Sequence, residues 1–281
     1  QVELLSHLLC IQERGLFSQS NHFDFNENAK KILGECVTNP LAIYELFLQT
    51  NSKENSCKIS CEQTPKNLYY LEEILKFFPN AKVINMVRDQ RDVLLSQKNK
   101  WKRRFLGAKA IPLSEAFRSF VNYHPILTAK VWNSSLTHSS KFQNNPRVKI
   151  VKFEDLLSES ENVIKDICSF LDIEFQEKML EVPVIGSSTE NDSKSELIID
   201  SSKVNKWIKG GLANAEIYLS QKQSSKMMDE FGYSRKEFSF PPIMVVLYIV
   251  SFPIKLGLAF LLNIHRMGSI LEVIKKRFFN K

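Results

Sequence analysis

An arginine, an aspartate and a serine recur at helical spacing behind a short apolar run: Arg88, Asp92 and Ser96 follow Val83-Ile-Asn-Met-Val87. The chemistry open to such a set is anion binding. Free backbone N–H groups and the positive end of the helix dipole meet where a strand gives way to a helix. Ligands of open α/β sheets also collect at that edge. An arginine at the strand end is a two-pronged donor, and a serine two turns along the helix can reach the same phosphate. The competing reading of Arg88 is an i,i+4 pair with Asp92, worth only about 0.3–0.5 kcal/mol.

The elements that must hold these residues follow from period and punctuation. Val2–Ile11, Glu27–Cys36 and Leu41–Leu48 read as amphipathic helices, the last two separated at Asn39-Pro40. Lys58–Cys61 reads as a short strand, and Asn67–Phe78 as a helix stopped by Pro79. Val83–Val87 reads as a buried strand and Asp89–Trp101 as the helix after it. Pro112–Leu136 carries one long helical period, Arg147–Phe153 a further strand, and Asp155–Leu171 its helix. Ile185–Asp200 is polar and serine-rich and reads as a mobile loop, before a helix over Asn205–Phe231. Strands alternating with helices predict an α/β fold, a parallel sheet flanked by helices.

The segment around Arg88 resembles the 3′-phosphate-binding motif of sulfotransferases, which use 3′-phosphoadenosine 5′-phosphosulfate (PAPS) as sulfuryl donor. The family pattern is a strand, Arg-x-Pro-x-Asp, and a serine eight residues after the arginine. Arg88, Asp92 and Ser96 match, and Gln90 stands in the proline's place. Glu62-Gln-Thr-Pro-Lys-Asn67 is similar to the Glu-Lys-Thr-Pro box that precedes the motif in bacterial and Golgi members, with Gln63 in the lysine's place. Lys149–Leu157 resembles the Tyr-Glu-Asp-Leu element, Phe153 taking the tyrosine's place. Ser202-Lys-Val-Asn-Lys-Trp207 resembles the late element that closes over the nucleotide. The likeness runs over roughly residues 1 to 235.

The resemblance implies a P-loop-like parallel sheet and PAPS as co-substrate, with no metal. It implies Arg88, Ser96, Ser202 and Lys206 as donor-binding residues. It makes Glu13, which follows Ser6-His7 at a similar spacing, the general base, with His7 and His124 weaker candidates. Lys66, three residues on, is expected to replace the missing charge at Gln63. Glu154 and Asp155 are expected in structural roles, one capping a helix. The family's Pro-Arg-Ser-Gly-Thr-Thr loop, which cradles the phosphosulfate, does not occur in the sequence and is expected immediately before the first helix. The acceptor that the resemblance implies is a hydroxyl of a small molecule, glycan or lipid. The alternatives are a membrane-associated protein that kept the fold without catalysis, and a related nucleotide or small-molecule kinase. The kinase reading calls for a Gly-x-x-x-x-Gly-Lys-Ser/Thr loop, which is absent from the sequence.

Composition bounds the rest. With 281 residues, 43% hydrophobic and 25% charged, the chain can bury a sizeable core. The net charge is +7, concentrated in Lys98–Lys109 and in the tail from Arg266 to Lys281. Charge alone, without a recognised module, does not make a nucleic-acid partner. Cys57 and Cys61 lack the second pair that a zinc site needs. Five scattered cysteines fit reduced thiols and a cytoplasmic setting. A Golgi lumen would apply in a eukaryote, where the Asn133 and Asn191 sequons would matter.

Pro241–Ile264 carries a single charge, Lys255, and is long enough to span a bilayer. A lysine and Pro253 near its middle favour an interfacial or re-entrant placement, since a central lysine costs roughly 2.5–3.5 kcal/mol. The basic tail suits an anionic membrane surface. The expected organisation is therefore an α/β domain over 1–238 and a membrane-associating segment over 239–281.

Overall fold

A computed structural model describes residues 1–15, 21–34, 39–185, 187–188, 190 and 193–264. The chain divides into two compact units, Gln1–Pro79 and Asn80–Lys281. That division differs from the one expected at 238/239.

The first unit is helical. Helices α1 (Val2–Arg14), α2 (Asn26–Leu33) and α3 (Pro40–Glu54) close around Leu5, Leu9, Phe25, Ala29, Leu33 and Ile43. Asn39 caps α3, its side chain accepting the Leu41 N–H at 2.9 Å, and Pro40 takes the first helical position, where no N–H is needed. The strand expected over Lys58–Cys61 is absent. All four residues are exposed, Ile59 to 60%, and no strand partners them among the described residues. Thr64-Pro65 opens a 3₁₀ turn over Pro65–Tyr70, and α4 (Leu71–Phe77) follows it.

The second unit is built on a parallel pair, β1 (Val83–Val87) and β2 (Val148–Lys152), with Val83 opposite Val148 and Val87 opposite Lys152. A parallel pair needs a long crossover. Here it is α5 (Gln90–Asn99), a 3₁₀ turn over Lys100–Phe105, α6 (Leu113–Asn122) and α7 (Pro125–Ser140). The single long helix expected over Pro112–Leu136 breaks at His124. Pro125 drives the residue before it out of the helical region, and His124 sits at φ −154°, ψ 136°. The helix expected after β2 also splits, into α8 (Phe153–Ser158) and α9 (Ser160–Leu171). β1 is only half buried: Val87 packs with Trp132 and Leu136 of α7, while Ile84 and Met86 on the other face stay open.

Part of the expected serine-rich loop is strand. β3 (Pro183–Val184) and β4 (Ser193–Leu197) pair antiparallel. The helix expected from Asn205 begins later. A 3₁₀ turn over Lys206–Lys209 ends at Gly210-Gly211, and α10 (Asn214–Glu230) starts beyond them. Gly211 lies at φ +90°, and a Cβ there would stand 2.7 Å from Leu95 Cδ1 of α5. Glycine therefore brings this turn against α5. The apolar α11 (Val245–Asn263) packs through Val245 on Ile126, Ala215 and Leu219. The α/β fold with a parallel sheet and a C-terminal apolar helix stands as expected from the sequence. The tail beyond Ile264 lies outside the described residues.

Candidate functional site

The β1–β2 register places the two strand ends side by side, so Arg88 follows β1 where Phe153 follows β2. The Arg88 guanidinium lies over the Phe153 ring, 4.4 Å from its centroid. Its Nη2 donates to the Lys203 carbonyl at 3.1 Å, and Nη2 stands 3.8 Å from Asp92 Oδ2. Among the described residues, Arg88 Nε and Asp92 Oδ2 are buried without a hydrogen-bond partner. A buried donor with no acceptor is costly, and an anion at the strand end would satisfy it.

The first turn of α5 is set by its neighbours. Asp89 caps it, accepting the Arg91 N–H at 2.7 Å. The same carboxylate grips the Arg91 guanidinium at 3.0 and 2.6 Å in a buried pair. Glu154 of α8 accepts the Asp89 N–H at 2.8 Å and the Tyr233 hydroxyl at 3.0 Å. It thereby holds the strand end from the β2 side. Burial, then Glu154, pushes the Tyr233 hydroxyl far up, which keeps it a donor.

The segment Ser201–Lys209 folds onto this turn. Asp92 Oδ1 accepts the Trp207 N–H at 2.9 Å, and the Arg91 guanidinium stacks 3.9 Å from the Trp207 ring centroid. Asn205 adopts the left-handed conformation just before Lys206 (φ 55°), which asparagine tolerates well. Lys206 pairs with Glu190, and Lys203 Nζ lies 4.0 Å from the same carboxylate. Ser202 donates its N–H to Asp200 at 2.8 Å, and the bond from its hydroxyl is the first cause holding the Asp200 carboxyl below its ordinary range. Ser96 accepts a bond from the Ser188 hydroxyl at 3.4 Å.

Arg88, Ser96, Ser202 and Lys206 therefore all belong to the second unit, on β1's end, α5 and the turn that covers it. Glu13 and Lys66 belong to the first unit. Both are exposed, Glu13 on α1 and Lys66 on the 3₁₀ turn after Thr64. In that turn Asn67 donates to Glu62, and burial followed by Glu62 pushes the Tyr44 hydroxyl up to about 12. His7 stacks on His22 with centroids 3.7 Å apart, and with Glu3 the pair brings three ligand-type atoms within 4.8 Å of one another. His124 is buried, donates Nε2–H to the Tyr248 carbonyl, and has its pKa lowered by burial.

Arg91, Ser188 and Glu190 were missed from the sequence, and Glu154 was expected in a structural role without its partners at the β1 end. Arg91 had a local signal, an arginine two residues after a helix-capping aspartate. The other three act across long sequence separations and carry none.

The profile of the sulfotransferase family matches residues 18–177. Among solved structures, the sulfotransferase domain from the curacin biosynthetic pathway is similar at 16% identity and a TM-score of 0.50, covering 83% of this chain and 79% of that one. At that identity the likeness is one of fold. No curated protein sequence matches.

Proposed function

The chain belongs to the sulfotransferase family, and from that premise we propose that it moves a sulfuryl group from PAPS to a hydroxyl of a carbohydrate or lipid acceptor. The observation behind this reading is Arg88, whose buried Nε has no hydrogen-bond partner among the described residues, at a strand end already gripped by the Ser201–Lys209 segment. Arg88 and Ser96 would hold the 3′-phosphate, and Ser202 and Lys206 would close over the nucleotide. Lys206 leaves Glu190 to do so.

When bound, PAPS supplies the sulfuryl group: the acceptor oxygen bonds sulfur as the sulfur–oxygen bond to the 5′-phosphate breaks. The hydroxyl proton passes to a carboxylate, for which Glu13 is the proposed base. Lys66 is proposed to supply the charge that Gln63 lacks, since charge-assisted bonds are roughly twice as strong as neutral ones. The apolar α11 and the basic tail support attachment to a membrane surface, which would place a lipid or lipid-linked acceptor within reach.

The test is thermal stabilisation by 3′-phosphoadenosine 5′-phosphate. At about 100 times its dissociation constant the ligand adds roughly 2.7 kcal/mol. The gain is expected in the parent and absent in Arg88→Ala. No stabilisation of the parent overturns the donor assignment.

A further inference from the structure

Helix α11 buries only a thin stripe. Val245, Tyr248 and Phe252 face the domain, and Ala259 is buried further along. Val246, Val250, Ile254, Leu258 and Leu261 form an opposite stripe, each at least 47% exposed, with no charge among them. The one charge of the helix, Lys255, lies beside α6, its Nζ 5.0 Å from the Phe120 ring centroid.

The apolar surface continues past α11. On α6, Leu113, Phe117 and Phe120 are 61%, 60% and 52% exposed, at helical spacing on one face. Phe105 of the neighbouring 3₁₀ turn is 62% exposed, and Trp101 meets both Phe105 and Phe120 edge-on at about 6 Å. A contiguous apolar patch of this kind marks an interaction surface rather than scattered surface residues.

Polar bonds tie α11 to the domain at both ends. At one end His124 donates to the Tyr248 carbonyl at 3.0 Å, and the Tyr248 hydroxyl bonds Glu216. At the other, Arg118 donates to Asn263 Oδ1 at 2.8 Å and Asn263 donates to Asn122 at 2.9 Å. Between these ties the helix rises about 22 Å. A helix fastened over that length to a domain carrying Arg118, Glu115 and Glu216 cannot cross a bilayer without drawing those charges into hydrocarbon. Pro253 also leaves the Ile249 carbonyl without its helical donor. An interfacial depth leaves that carbonyl within reach of water and headgroup donors, whereas in hydrocarbon a neighbouring group would have to satisfy it.

Charge gathers at the Asn263 end. A depression of about 100 Å³ there is lined by Lys100, Arg118, Asn122 and Tyr123. Burial, then Arg118 and Arg103, hold the Lys100 ammonium below its ordinary range. Arg103 Nε is buried without a partner among the described residues, and Lys102 and Lys109 are exposed nearby in sequence. Glu115 pairs with Arg118, which leaves Lys100 and Arg103 as the cations that a further anion would answer.

We propose that α11, the open face of α6 and the Lys100–Phe105 turn form one in-plane surface for a bilayer containing anionic phospholipid. On this arrangement α11 lies in the headgroup–acyl boundary, and Lys100 and Arg103 meet phosphate headgroups. This deepens the membrane-attachment reading and is independent of the donor site.

The experiment is co-sedimentation of the full chain with phosphatidylcholine vesicles and with equimolar phosphatidylcholine–phosphatidylserine vesicles. The expected result is binding to the anionic vesicles that weakens with salt. The double change Leu113→Ser with Phe117→Ser lowers partitioning about tenfold or more. Both side chains are exposed, so an unchanged melting temperature without vesicles verifies the fold of the variant. Partitioning of that variant equal to the parent's overturns the in-plane surface, because a spanning α11 needs nothing from α6. Equal binding to both vesicle types overturns the anionic component. Failure to bind either, with a dimer on gel filtration, assigns the face to a second copy and overturns membrane attachment itself.

Discussion

Asp92 accepts the backbone N–H of Trp207 at 2.9 Å, a hydrogen bond between residues 115 apart in the chain. It ties the first turn of α5 to the segment that covers the candidate donor site. Burial is the largest influence on Asp92 and raises its pKa, outweighing the Trp207 and Arg88 contributions that lower it. Between the ordinary carboxylate value and the raised one, the folded protein holds more protons than the unfolded chain. Asp92's contribution to stability is then full below that window and falls as pH rises through it. Asp92→Asn keeps an acceptor for Trp207 and removes this slope. Asp92→Ala removes the acceptor as well and is expected to cost about 1.5–3 kcal/mol. Denaturant unfolding of the three proteins across the acid range reads both effects, and an unchanged slope in Asp92→Asn would place the titration elsewhere.

Gln90 occupies the first position of α5, fully buried, and neither polar atom of its amide has a hydrogen-bond partner among the described residues. Unsatisfied buried groups cost about 1–3 kcal/mol each. The backbone is already suited to proline. Asp89 sits at φ −49°, ψ 128°, the extended conformation that a following proline demands, and the first helical N–H is dispensable. Gln90→Pro is therefore expected to stabilise the protein by about 1 kcal/mol or more. The check is the unfolding midpoint. A drop would show that the Gln90 amide makes a bond that matters to the fold.

Glu216 is the hub that the sequence hid. Its carboxylate accepts from Lys98 and from the Ala213 N–H, both at 2.7 Å, and from the Tyr123 hydroxyl at 2.6 Å. It lies 1% exposed at the start of α10. Burial and then Glu216 push the Tyr123 hydroxyl far above the phenol range, so it remains a donor at any working pH. Removing one partner of a buried pair costs about 3–5 kcal/mol. Glu216→Ala should fall in that range. Lys98→Ala should cost less, since the lysine is one-third exposed and the Ala213, Tyr123 and Tyr248 donors remain. A double-mutant cycle in urea measures the coupling, and additive effects would show that the pair is not the source.

The strand-to-helix step at Arg88 was legible because every cue for it is local: an apolar run, a capping aspartate, a helical period. The same local cues were present at His124-Pro125 and Gly210-Gly211, where the hydrophobic period continued across residues that break a helix. Chain punctuation outranked periodicity in both places. The strand at Ser193–Leu197 was hidden by polar composition, since its pairing with Pro183–Val184 supplies what its side chains do not advertise. Of the candidate site, Arg88 and Asp92 could be named from spacing. Their partners could not, because the Lys203 carbonyl is brought to Arg88 by a backbone path that no side-chain pattern encodes. Glu154 and Asp155 are expected in structural roles, one of them capping a helix, and Glu154 accepts the Asp89 N–H across the sheet edge, a role no local cue announces.

Glu190 carries the last prediction, because it holds the lysines that the donor would need. It pairs with Lys206 and lies 4.0 Å from Lys203, while its own side chain is 41% exposed. An incoming phosphate must compete with this carboxylate. A partly exposed ion pair is worth at most about 1 kcal/mol, so the competition is modest. Glu190→Gln should tighten binding of 3′-phosphoadenosine 5′-phosphate by about two- to fivefold, with the gain shrinking as salt rises. Titration calorimetry at low and high salt tests this. Weaker binding in Glu190→Gln would mean that the carboxylate orients Lys206 toward the ligand rather than standing in the ligand's place, and Lys206→Ala would then lose no more affinity than Glu190→Gln does.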